Sequence, residues 1–186
     1  HFVNSGGWYT QYLVSWLNGD TFIEVIGMID RSADPDYSGQ YSWILDDDPD
    51  IPYDDFPQAN QKLISLGFTP YYDNTDNWIV TNNGPVIGYA SHGTHAKYGV
   101  NGPYMPPTYI LDTLMFEYPH GASFSTYESF NCVSFGESRW DQGLLSDFIH
   151  MEGTGGSGTV QEPYASGCTK VSASFPSYAM GYSIVD

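Results

Sequence analysis

Short apolar runs that read as strands take turns along this chain with runs whose apolar residues recur at helical spacing, and this alternation constrains the fold more than any other feature. Strands joined through helical crossovers lie parallel, and a parallel sheet must be covered on both faces. The expectation is therefore a single α/β domain over residues 1–186, with three layers and a mostly parallel sheet between helices.

The individual elements can be placed by their start and stop signals. Gln11 to Leu17 reads as a strand closed by Asn18-Gly19-Asp20. Thr21 and Glu24 have capping-box spacing, and Phe22, Val25, Ile26, Ile29 and Ala33 follow at helical intervals until Asp34-Pro35 stops the run. Tyr41 to Leu45 is a strand leading into an acidic loop, and a helix opens at Asp54 or Asp55, with Pro57 in its first turn, and stops at Gly67. Phe68 to Tyr72, Val86 to Ser91, Ala122 to Cys132 and Gly158 to Gln161 read as further strands. Helices are expected over Tyr109 to Phe116, around Leu144, Leu145, Phe148 and Met151, and from Pro176 towards the end of the chain.

Charge and composition narrow the function classes. Five Lys+Arg against 22 Asp+Glu leave a formal charge of −17, which opposes phosphate backbones and anionic lipid surfaces, so neither nucleic acid nor a membrane is an expected partner. No apolar stretch approaches the roughly 20 residues of a membrane span. Sixteen Tyr, 20 Gly and 12 Pro with few Lys suit a rigid, loop-rich domain placed outside a cell or on its surface. The two cysteines, Cys132 and Cys168, allow one disulfide and no zinc finger.

In an open parallel sheet, ligands collect beyond the carboxyl ends of the strands. The residues there include Asp46-Asp47-Asp48, Ser91-His92-Gly93, Asn131-Cys132 and Glu162-Pro163. A His and a Cys at the ends of two strands joined by one crossover have the geometry of an imidazole–thiol dyad. In that reading His92 is the general base and acid, Cys132 is a fast-alkylating nucleophile, and N–H groups at Gly93 receive the oxyanion. The same cysteine reads equally as half of a Cys132–Cys168 disulfide, or as an inert thiol. Asp46, Asp47, Asp48 and Asp50 have the oxygen density that Ca²⁺ favours, although the fold requires no cofactor. A solvated acidic run ending in a helix cap is the plainer account of those residues. His1 with His92 or His95 could chelate copper, but such sites belong to β-sandwiches.

Two resemblances rest on particular residues. The strand ending in Ser91-His92-Gly93, followed about forty residues later by one ending in Cys132, resembles the caspase and gingipain pattern of cysteine peptidases. Tyr12-Leu13-Val14-Ser15-Trp16-Leu17-Asn18-Gly19, Ile29-Asp30-Arg31-Ser32, Tyr118-Pro119-His120-Gly121-Ala122 and the run from Gly153 through Glu162-Pro163-Tyr164 are similar to an uncharacterised family of secreted microbial proteins. The first resemblance implies a cysteine hydrolase acting on a peptide or protein. The second implies that these residues are a fragment or processed part of a longer secreted protein. The rival expectation is a non-catalytic extracellular subunit of a filament, sheath or surface layer, whose partners are copies of itself.

Overall fold

The computed structural model describes residues 19–36, 40–49, 55–93, 105–128, 131–132, 142–157, 175–176 and 179–180. Five strands, β1 (Ser42–Asp47), β2 (Tyr71–Asn74), β3 (Val86–Ser91), β4 (Ser123–Thr126) and β5 (Gly155–Ser157), form one sheet in the order β2-β1-β3-β4-β5. Every neighbouring pair is parallel. This is the architecture that the strand and helix alternation predicts. The order reverses direction between β1 and β3, which is where an open α/β sheet leaves a crevice at its carboxyl edge.

Helices cover both faces. Successive residues of β1 point to opposite sides: Ile44 joins an apolar cluster with Met28, Tyr89, Ile110, Phe124 and Phe148, whereas Trp43 and Leu45 join Phe56, Ala59, Leu63 and Phe175. The first cluster brings in α1 (Phe22–Ala33), α3 (Tyr109–Asp112) and α4 (Leu145–His150); the second brings in α2 (Phe56–Ser65). The Trp43 ring lies across β3 at Gly88, where an added Cβ would run into the indole, so only glycine admits this packing.

The start of α1 follows the sequence closely. Thr21 Oγ1 accepts the Glu24 N–H at 3.2 Å, and Glu24 Oε2 accepts the Thr21 N–H at 2.8 Å. Such a cap stabilises a helix by about 0.5–2 kcal/mol. The apolar stripe is not the buried face, however. Met28 is buried, while Phe22 and Ile23 are 77% and 81% exposed and Ile26 and Ile29 also stand open. Arg31 anchors the opposite side by donating to the Gly153 carbonyl at 2.9 Å.

Several boundaries differ from those expected. β1 runs on through Asp46 and Asp47, so the acidic segment begins inside the sheet. The helix expected to Phe116 is a single turn, after which Met115 bridges to Thr81. β4 ends at Thr126 rather than Cys132. The glycine-rich segment Gly155–Ser157 supplies β5, because its backbone pairs with β4 through Ser123 and Gly155 and their neighbours. The strands expected at residues 11–17 and 158–161 lie outside the described residues, as does most of the last expected helix.

Candidate functional site at the carboxyl edge of the sheet

The ladders continue past the formal ends of the strands and fix the edge residues. The His92 N–H donates to the Asp46 carbonyl at 2.9 Å, and the Tyr127 N–H donates to the Ser91 carbonyl at 3.1 Å. His92, Ser91, Asp46 and Glu128 are all buried there. His92 Nδ1 also lies 3.2 Å from the Asp46 carbonyl oxygen. A carbonyl can only accept, so Nδ1 carries the proton, and Nε2 is the basic nitrogen of the neutral ring. Trp78 packs on this imidazole with ring centroids 4.2 Å apart.

Beneath His92, Asp46 Oδ2 accepts from the Ile79 N–H and the Tyr89 hydroxyl, each at 3.1 Å. Its other oxygen is buried without a hydrogen-bond partner. Burial pushes the Asp46 carboxyl up to about 8, with Asp73 and Asp47 adding repulsion and the two hydrogen bonds pulling the other way. At neutral pH this acid is mostly protonated.

A second buried network runs alongside. Tyr109 donates its hydroxyl proton to Glu128 Oε2 at 3.2 Å, so the 3.4 Å contact between Ser91 Oγ and the Tyr109 oxygen is donated by Ser91. Ser91 Oγ in turn accepts the Gly93 N–H at 3.1 Å. The other oxygen of Glu128 accepts the Gly143 N–H at 2.6 Å. A directed chain therefore passes from Gly93 through Ser91 and Tyr109 to Glu128. The N–H expected to meet an oxyanion at Gly93 is, in this structure, the donor that starts the chain.

The residues picked from the sequence thus separate. His92, Gly93 and Asp46 meet at the β1–β3 boundary. Cys132 lies in a turn beyond β4 and packs partly buried against the apolar cluster of α3 and α4. Its thiol is free, and burial pushes it up to about 12. Its alternative partner Cys168 is outside the described residues. The acidic set divides by strand alternation: Asp46 bonds to Tyr89 on one face, while Asp47 Oδ2 accepts the Tyr72 hydroxyl at 2.6 Å on the other. Asp48 is buried and Asp50 lies outside the described residues. Among the described residues, no group of three or more His, Cys, Asp or Glu side chains is placed to hold a metal ion.

Sequence reasoning did not select Trp78, Tyr109 or Glu128 for this edge. Glu128 carried a usable signal, an ionisable residue continuing the inward alternation of Ala122, Phe124 and Thr126. Trp78 reaches the site from the loop after β2 and Tyr109 from the start of α3, and nothing local marks them.

No protein-family model, curated protein or solved structure matches the chain. No helix among the described residues is long and apolar enough to cross a membrane.

Proposed function

We propose that this chain is an extracellular, caspase- and gingipain-like α/β domain that acts as a cysteine hydrolase, with a peptide or protein substrate and a reaction centre at the carboxyl edge of β1, β3 and β4. One observation carries the reading: the Asp46 carbonyl fixes the His92 tautomer, making Nε2 the basic nitrogen at the point where the strand order reverses. The nucleophile in this proposal is Cys132. A thiol held near 12 is not an ion pair with imidazole, and Cys132 packs on the apolar cluster of α3 and α4, so the proposal requires Cys132 to reach Nε2 of His92, which takes the thiol proton as sulfur attacks the carbonyl carbon. The resulting imidazolium protonates the leaving amine, and water, deprotonated by the same ring, then cleaves the thioester. The proposed reaction requires no metal, and Ca²⁺, if bound, would act as a stabiliser.

Fluorogenic peptide libraries test this directly. Peptide cleavage is expected, falling at least a hundredfold in both His92→Ala and Cys132→Ala. Loss in His92→Ala with full activity in Cys132→Ala would replace the thiol by an activated water. Equal activity in both variants would remove the centre from this edge.

The non-catalytic reading, an extracellular subunit that assembles with copies of itself and carries a Cys132–Cys168 disulfide, has its own support in the exposed row Phe22, Ile23, Ile26 and Ile29 on α1. Negative-stain images and sedimentation of wild type and Ile23→Glu separate it from the hydrolase. Regular polymers lost in the variant favour assembly, and a monomer in both rejects it.

A further inference from the structure

A cleft of about 630 Å³ opens beside the edge strand β2, between it and residues 77–83, and Trp78, which packs on His92, is one of its walls. That volume falls within the roughly 300–1,000 Å³ of small-molecule sites. Its walls carry two aromatic rings, Tyr71 and Trp78, and the amides of Asn77, Asn82 and Asn83, with Asp73 as the one charged side chain. Tyr71 is 56% exposed, a large ring face turned to water at a cleft wall.

Asn82, Asp73 and Asn77 are held in place before any ligand arrives. Asn82 donates from Nδ2 to Ser42 Oγ at 2.8 Å and to the Gly84 carbonyl at 2.9 Å. Both amide protons are committed, so Asn82 offers a ligand its carbonyl oxygen. Thr75 donates to Asp73 Oδ2 at 2.6 Å while accepting from the Asn77 N–H and side-chain amide, which ties Asp73 and Asn77 into one turn.

The chemistry selects among ligands. An anion finds no Lys, Arg or His in the lining, and it meets Asp73 within a chain of charge −17. An apolar ligand would strand three amides without water. A cation finds Asp73, but it leaves the amides and aromatic faces unused. A polyol satisfies all of them, because each hydroxyl both donates and accepts, while the C–H face of a sugar ring packs on an aromatic plane.

We infer that this cleft is a binding site for a neutral saccharide, with Tyr71 and Trp78 as the ring platform and Asn77, Asn82 and Asn83 as hydroxyl partners. It uses neither His92 nor Cys132, so it stands whether or not the hydrolase reading does.

The test is calorimetric titration of the full chain with maltotetraose, cellotetraose, xylotetraose, mannotetraose and chitotetraose, and with tetra-arginine as the cationic control. At least one saccharide is expected to bind with a dissociation constant below about 10 mM. Tyr71→Ala and, independently, Asn83→Ala should each weaken it at least tenfold; both positions are exposed, and circular dichroism verifies that the variants fold. Peptide-cleavage activity, if present, should be unchanged on small peptides. The proposal is overturned if none of the five saccharides binds, if binding survives both substitutions, or if only tetra-arginine binds and Asp73→Asn abolishes it.

Discussion

The indole of Trp78 packs against the imidazole of His92 at a centroid distance of 4.2 Å and against the Tyr109 ring at 5.1 Å, so one side chain from the loop after β2 walls in residues from β3 and α3. The contact keeps water from one face of His92 and links the carboxyl edge to the cleft beside β2. Three rings depending on one another in this way leave little room for partial collapse.

Trp78→Ala should therefore destabilise the domain by about 2 kcal/mol or more, since large-to-small changes beside a core lose both burial and ring contacts. Trp78→Phe should recover at least half of that loss. Urea titration followed by circular dichroism checks both, and an alanine variant within about 0.5 kcal/mol of wild type would show that the stack is incidental.

Asp46 makes stability depend on pH with a definite sign. Its carboxyl rises from an ordinary value of 3.8 to about 8 on folding, chiefly through burial. Above pH 3.8 the unfolded chain releases this proton while the folded chain holds it up to about pH 8. The stability that this group contributes is thus complete below 3.8, falls as pH rises towards 8, and levels beyond. Asp46→Asn keeps an oxygen to accept from Ile79 and Tyr89 but cannot ionise. Its advantage over wild type should grow between pH 4 and pH 8 to something on the order of 2–5 kcal/mol, at about 1.4 kcal/mol per unit. Denaturation at the two ends of that range measures it, and a gap that shrinks with pH would mean that Asp46 folds as a carboxylate.

Cys132 should be a slow thiol. With its pKa raised to about 12 by burial, only a trace is thiolate at neutral pH, and iodoacetamide should label it far more slowly than a free model thiol. The fast alkylation expected from an ion-paired dyad is replaced by a rate that keeps climbing with pH beyond 10. Peptide mapping of timed labelling reads Cys132 and Cys168 separately. A rate plateau below pH 8 at Cys132 would point to a neighbouring positive charge that holds the thiolate.

Much of the fold was legible because its signals are local. The Thr21–Glu24 box and the apolar run of β3 each depend on a few consecutive residues, and the structure uses them as read, whereas of the expected α2 stripe Phe56, Ala59, Leu63 and Ile64 it buries the first three and leaves Ile64 exposed. The length of β1 was not legible, because three aspartates read as solvated until tertiary partners such as Ile79, Tyr89 and Tyr72 appear. The face of α1 was misjudged for a related reason: periodicity finds a stripe but does not say what covers it. At the site, His92 and Gly93 could be found from position alone, whereas the Tyr109–Glu128 pair spans 19 residues and depends on where tertiary packing seats α3.

Gly93 is the point at which the edge is least tolerant of change. Its φ of +76° lies in the left-handed region, where a β-carbon costs about 1–2 kcal/mol, and an added Cβ there would also run into the Glu128 side chain at Cγ and Cδ. Glu128 cannot move aside cheaply, because it holds the Gly143 N–H and the Tyr109 hydroxyl. Gly93→Ala should therefore cost about 2–5 kcal/mol, combining backbone strain with overpacking. Shortening the facing acid in Gly93→Ala/Glu128→Asp relieves the overlap but lengthens the reach to Gly143 and Tyr109. The double variant should then sit above the sum of the two single effects, with a favourable coupling of about 1 kcal/mol or more. A double-mutant cycle by urea denaturation measures that coupling, and strict additivity would mean that Gly93 is required for its backbone angle and not for the close approach of Glu128.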